Sequence, residues 1–143
     1  VKRSQDVATY KGFYHSGVGG YCRQSHRYNG EVHPFATYAK ELEEELGYTE
    51  STPKDFHAFS LVRNLDDYHL DLLAEVGLHA TSKELLELKG EDEYENAGKH
   101  SIDFDLDILT KLRRTNWVPV GFAATLHSLA NAYGTGAVEK RLS

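Results

Sequence analysis

The clearest structural signal in the chain is residues 33–47, which read HPFATYAKELEEELG. The apolar side chains in this stretch fall at positions i, i+3, i+4, i+7 and i+11, namely Phe35, Tyr38, Ala39, Leu42 and Leu46. That spacing places them on one face of an α-helix. Gly47 supplies the residue that adopts a left-handed backbone where helices end. The stretch therefore predicts a helix over residues 35–47.

Similar signals on the C-terminal side predict further helices. Thr52 followed by Pro53 is a typical helix start, because Thr caps the first turn and Pro needs no N–H there. Thr81 and Glu84 have the spacing of a capping box. The predicted helices cover residues 35–47, 53–64, 66–76, 82–89, 102–114 and 119–133. The fold prediction is accordingly mainly α: an irregular antiparallel bundle of about six helices.

Residues 1–33 show no helical periodicity. Three glycines, Gly17, Gly19 and Gly20, lie between two aromatic stretches, and Asn29-Gly30 is a strong turn signal. This segment is predicted to form an irregular arm or a short β-hairpin. The predicted organisation is a Gly/Tyr-rich basic arm over residues 1–33 and an α-helical domain over residues 34–143.

Composition limits the cellular setting. Cys22 is the one cysteine among 143 residues, so an intramolecular disulfide and a cysteine-rich zinc site are excluded. We expect an intracellular reducing compartment, either the cytoplasm or an organelle matrix. The chain begins at Val1 and contains no methionine, which suggests a processed chain, and the mitochondrial matrix would fit such processing. No apolar run reaches the roughly 20 residues of a membrane span.

Charge is distributed in three blocks. Residues 1–33 have a net charge of +3, residues 34–110 of −13 and residues 111–143 of +4. Basic ends and an acidic middle can contact surfaces of opposite charge on other proteins. The same pattern also arises when acidic side chains simply solvate the outer faces of helices.

One enzymatic hypothesis is a cysteine-dependent hydrolase or transferase that uses Cys22, His57 and Asp71. A thiol nucleophile needs an imidazole to take its proton and a carboxylate to orient that imidazole. No metal site is predicted, because the histidines lack the i, i+4 spacing of helical zinc ligands. Asp103, Asp105 and Asp107 lack the glycine of a calcium-binding loop, and no cofactor is predicted.

The favoured hypothesis is a non-catalytic accessory subunit that joins other protein subunits through its N-terminal arm. Tyrosine and arginine are frequent at protein interfaces. The predicted contact residues are Tyr10, Tyr14, Tyr21, Arg23, Arg27 and Tyr28. A second alternative is nucleic-acid binding by the same basic, aromatic side chains. The net charge of −6 makes nucleic acid an unfavourable partner.

Overall fold

The computed structural model describes residues 1–6, 9–65, 68–91 and 96–143. Within these ranges the chain is a mixed α/β protein with five α-helices and six short strands. The helices are α1 (Pro34–Glu41), α2 (Ser82–Glu87), α3 (Ile108–Leu112), α4 (Pro119–Tyr133) and α5 (Thr135–Leu142). The strands are β1 (Lys2–Arg3), β2 (Arg27–Tyr28), β3 (Glu31–Val32), β4 (Phe56–Arg63), β5 (Leu70–Val76) and β6 (Asn96–Gly98).

The described strands form three antiparallel pairs: β1 with β6, β2 with β3, and β4 with β5. The β4–β5 hairpin is the largest of them, and its register pairs Phe56 with Val76 and Arg63 with Leu70. The predicted six-helix bundle is therefore wrong. Residues 53–64 contain a single turn of 3₁₀ helix (Pro53–Asp55) followed by β4, and the region predicted as a helix over 66–76 contains β5. Residues 66 and 67 lie outside the described ranges.

A β-bulge explains why the first of these strands resembles a helix in sequence. Ala58 pairs with Ala74 and Ser60 with Leu73, so Phe59 is an extra residue on β4. The insertion breaks the two-residue alternation of the strand and leaves Phe56, Phe59 and Val62 at the three-residue spacing of a helix. The sequence of β5 shows part of the two-residue alternation of a strand. Leu70, Leu72, Ala74 and Val76 alternate with Asp71 and Glu75, and Leu73 interrupts the pattern.

Other predicted helices are confirmed in whole or in part. The helix predicted over 35–47 is α1 extended by a π-helical turn, Leu42–Leu46, and it ends at Gly47 with φ of 75°. α2 begins with the predicted capping box, in which Glu84 N–H donates to the Thr81 hydroxyl and Thr81 N–H donates to the Glu84 carboxylate. α4 has the predicted bounds, 119–133.

The helix predicted over 102–114 is much shorter in the structure. The Asp105 carboxylate accepts hydrogen bonds from the N–H groups of Asp107 (2.8 Å) and Ile108 (3.2 Å). A side chain in this arrangement belongs just before a helix and not within one, so Asp105 marks the helix start and α3 covers Ile108–Leu112. Helix α5 follows Gly134 directly and was not predicted. Together α3, α4 and α5 form the main apolar core, which consists of Ile108, Leu109, Leu112, Leu129 and Val138.

The N-terminal segment packs onto this C-terminal part. Val118 N–H donates to Tyr14 O (2.8 Å), and the Tyr14 ring stacks on Trp117 with centroids 5.8 Å apart. Gly121 permits this approach, because a Cβ there would lie only 3.0 Å from the backbone nitrogen of Ser16. Residues 14–16 are consequently fixed against the beginning of α4.

A second close backbone contact connects the end of the first helix to the segment after α2. A Cβ on Gly90 would lie 2.3 Å from Glu44 O, and one on Gly47 would lie 2.3 Å from Lys89 O. The Lys99 ammonium donates to Leu46 O (2.8 Å) and Leu88 O (2.6 Å) at the same place. These bonds satisfy two carbonyls at helix ends and hold the two segments together.

This contact predicts that Gly90→Ala is strongly destabilising. The new methyl group meets backbone atoms that cannot move aside, so the free energy of unfolding should fall by about 1–3 kcal/mol. Gly136→Ala is the matched control, because Gly136 lies in α5 with nothing within 4 Å of its Cβ position. That variant should be unchanged or slightly more stable. Urea unfolding of both variants measures the difference, and equal effects would contradict the close contact.

Candidate functional site

The tip of the β4–β5 hairpin exposes several large apolar side chains. The exposed fractions are 64% for Leu61, 73% for Leu65, 73% for Tyr68 and 68% for Leu70. Leu61 and Arg63 lie on one face of β4, and the pairing of Arg63 with Leu70 places Leu70 on that face too. The Arg63 guanidinium lies 5.4 Å from the centre of the Tyr68 ring, within the range of a cation–π contact.

Tyr21 extends this surface from the N-terminal segment. Its ring packs edge-on against His69, with centroids 5.8 Å apart, although the Tyr21 side chain remains 69% exposed. We call Tyr21, Leu61, Leu65, Tyr68 and Leu70 the hairpin-tip patch. Such a group of neighbouring exposed apolar side chains is typical of a contact surface for another molecule.

The base of the hairpin is held firmly, which fixes the position of the patch. The Phe56 ring packs against Tyr38 of α1, with centroids 5.2 Å apart. The Tyr38 hydroxyl donates to Leu72 O over 2.6 Å. Burial and the neighbouring Asp71 carboxylate raise the pKa of Tyr38, so this hydroxyl keeps its proton and remains a donor. On the other side Leu73 is buried and the Phe59 ring stacks on His127 of α4.

The six arm residues predicted as contacts have two different environments. Tyr10 packs against Phe13, and Tyr14 packs between Trp117 and His100, so these two tyrosines serve the fold. Tyr21, Arg23, Arg27 and Tyr28 are exposed. Tyr21 contributes to the hairpin-tip patch, whereas Tyr28 contacts Phe35 beside the β2–β3 turn. The turn itself was predicted correctly, since Asn29 and Gly30 both have positive φ.

The structure does not bring the proposed thiol triad together. His57 pairs with Glu75, and Asp71 pairs with Val62. Asp71 lies four positions before Glu75 along β5, which places His57 and Asp71 about 13 Å apart at the usual rise of a strand. Cys22 is exposed in the segment that precedes β2. Among the described residues no group of three or more His, Cys, Asp or Glu side chains could hold a metal ion.

The comparisons with known proteins identify no relative. No protein-family model, curated protein or solved structure matches the chain. In the part of the chain that the structure describes, no helix is both long enough and apolar enough to cross a bilayer.

The sequence patterns do not predict the hairpin-tip patch, because they assign Leu61, Tyr68 and Leu70 to two helices, leave Leu65 between them and place Tyr21 in the arm. The available signal was the pair Asp66-Asp67 between two apolar runs, since turn-forming residues between two such runs are typical of a hairpin. Leu65 and Tyr68 flank that pair, which predicts exposure at the turn. Tyr68 also has φ of 58°, a left-handed conformation that is rare for an aromatic residue.

The His15 imidazole has a pKa far from its ordinary value. Its ring nitrogen Nδ1 is buried and has no hydrogen-bond partner among the described residues. Burial, reinforced by the positive charges of the Val1 amino group and Arg3, lowers the pKa of His15 from 6.5 to about 4. The folded protein therefore holds a neutral imidazole at neutral pH.

This predicts a loss of stability in mild acid. Below pH 6.5 the unfolded chain takes up a proton at His15, while the folded chain does so only near pH 4, so the folded state becomes less favourable as pH falls. Because of this residue, the free energy of unfolding measured in urea should fall by about 2 kcal/mol between pH 8 and pH 5. His15→Gln should remove that part of the pH dependence. The control His57→Gln, at an exposed histidine, should keep this pH dependence. If the free energy of unfolding of His15→Gln changes with pH as in the wild type, the pH dependence does not come from His15.

Proposed function

We propose that the protein is a non-catalytic accessory subunit that binds another protein through the hairpin-tip patch. The observation that carries the proposal is the exposure of five large apolar side chains around one rigidly held hairpin. A monomer rarely leaves such side chains together in water, because burying apolar surface stabilises by about 25 cal/mol per Å².

The composition of the patch favours a protein partner. Tyr21 and Tyr68 are aromatic anchors, and the Arg63 guanidinium lies against the Tyr68 ring. Tyrosine and arginine contribute strongly to binding when a partner excludes water from them. The base of the hairpin is fixed by α1 and α4 before binding, so ordering the base costs little conformational entropy.

Charge indicates the chemistry of the partner. The segment that carries the hairpin belongs to the acidic block of residues 34–110, and Asp66, Asp67 and Asp71 are close to the tip in sequence. We expect a partner with an apolar centre and basic side chains around it. Complementary charges of this kind mainly accelerate association and determine specificity. The acidic surroundings of the patch also repel the phosphates of nucleic acid.

Site-specific photo-crosslinking followed by reconstitution tests the proposal. A photoreactive phenylalanine analogue at position 65 should capture a partner in cells of the source organism, and the same analogue at position 86 on α2 should not. The captured protein is then purified and its affinity for the intact chain is measured by calorimetry. Leu65→Ser should weaken binding by at least about tenfold, the usual loss at a central interface residue.

Leu86→Ser is the matched control, because Leu86 is 45% exposed but lies outside the hairpin-tip patch. It should bind like the wild type, and circular dichroism should show that both variants are folded. Wild-type affinity in Leu65→Ser, or capture from position 86 alone, would overturn the proposal.

A further inference from the structure

A large cavity lies between the N-terminal segment, β5 and α4. Its volume is about 1480 Å³, which exceeds the roughly 300–1,000 Å³ of most small-molecule sites. Its apolar wall includes Leu72 and Val76 from β5 and Val120 and Ala124 from α4. Arg3 and His15 also line it. The cavity is a cleft that is partly open to solvent, so a ligand can enter it.

Some polar groups on the cavity wall have hydrogen-bond partners among the described residues, and others do not. Glu45 accepts a hydrogen bond from Gly19 N–H, and Glu41 has a partner within the protein. Lys99 donates to two backbone carbonyls. In contrast, Arg3 Nε is buried with no acceptor among the described residues. A guanidinium is only a donor, so the group that is missing beside it is an acceptor.

The beginning of α4 also favours a hydrogen-bond acceptor nearby. Val118 precedes the helix and provides no side-chain cap for its first N–H groups. The His15–Ser16 backbone lies against Gly121 in this first turn. The positive end of a 15-residue helix is thus next to the segment that carries His15. Unsatisfied donors and a helix N-terminus together favour a negatively charged group.

We infer that the cavity binds an amphipathic carboxylate, with its head group at Arg3 and its apolar body between β5 and α4. A carboxylate accepts the charge-assisted hydrogen bond that Arg3 lacks. The aliphatic side chains Leu72, Val76 and Val120 offer no hydrogen bonds and suit a hydrocarbon chain. Tyr21 and Leu70 of the hairpin-tip patch also line the cavity. The inference rests on Arg3 and on the apolar wall, so it does not depend on the proposed function.

Two fluorescent probes test the inference: dansyl-labelled undecanoic acid and dansyl-labelled undecanol. The wild-type chain should bind the acid at one saturable site and bind the alcohol more weakly. Arg3→Gln should weaken binding of the acid by about tenfold, as expected for loss of a charge-assisted hydrogen bond, and leave the alcohol unchanged. Ala124→Trp should abolish binding of both probes, because its indole fills the apolar part of the cavity.

Ala132→Trp is the matched control, since Ala132 is an exposed residue of the same helix. It should bind the acid like the wild type. If thermal unfolding shows that Ala124→Trp does not fold, Ser128→Phe fills the same wall of the cavity and replaces it. The inference is overturned if the wild type binds neither probe saturably, if the cavity-filling variant binds as before, or if Arg3→Gln affects both probes equally.

Discussion

The hydrogen-bonded pairing of β4 with β5 is the interaction on which the rest of the described structure depends. Helix α1 packs on the base of this hairpin through Tyr38 and Phe56, and α4 packs on its other side at Phe59 and Leu73. β5 also forms one wall of the cavity. The hairpin-tip patch uses residues from both strands, and the cavity depends on the position that the pairing gives to β5.

The sequence predicts the local features of this molecule better than their arrangement. The bounds of α4, the capping box of α2 and the Asn29-Gly30 turn depend on neighbouring residues and were predicted correctly. The hairpin was not, because a bulge at Phe59 gives β4 the apolar spacing of a helix. The turn-forming pair Asp66-Asp67 between two apolar runs is a signal for the hairpin, but the helical spacing of Phe56, Phe59 and Val62 masks it.

For the candidate sites too, the sequence indicates local properties of residues but not how the residues are arranged in space. Tyr21 and Arg23 are exposed, as expected for polar or amphipathic side chains. Tyr10 and Tyr14 have the same side chain as Tyr21, but they pack against other rings of the protein. Only the folded chain shows that Tyr21 lies beside His69, across the turn from Leu65. Likewise Arg3 and His15 carry no recognisable motif. Their importance comes from burial without partners, which is a property of the three-dimensional structure.

The central claim is that residues 56–76 form a β-hairpin, and nuclear Overhauser contacts in the isotope-labelled chain test it most directly. The account predicts cross-strand contacts between paired residues, such as Leu61 with Leu72 and Phe56 with Val76. It also predicts strong contacts between sequential Hα and amide protons within each strand. Contacts from residue i to residue i+3 through 53–64, without cross-strand contacts, would show a helix there. That result would remove the hairpin-tip patch and contradict the account.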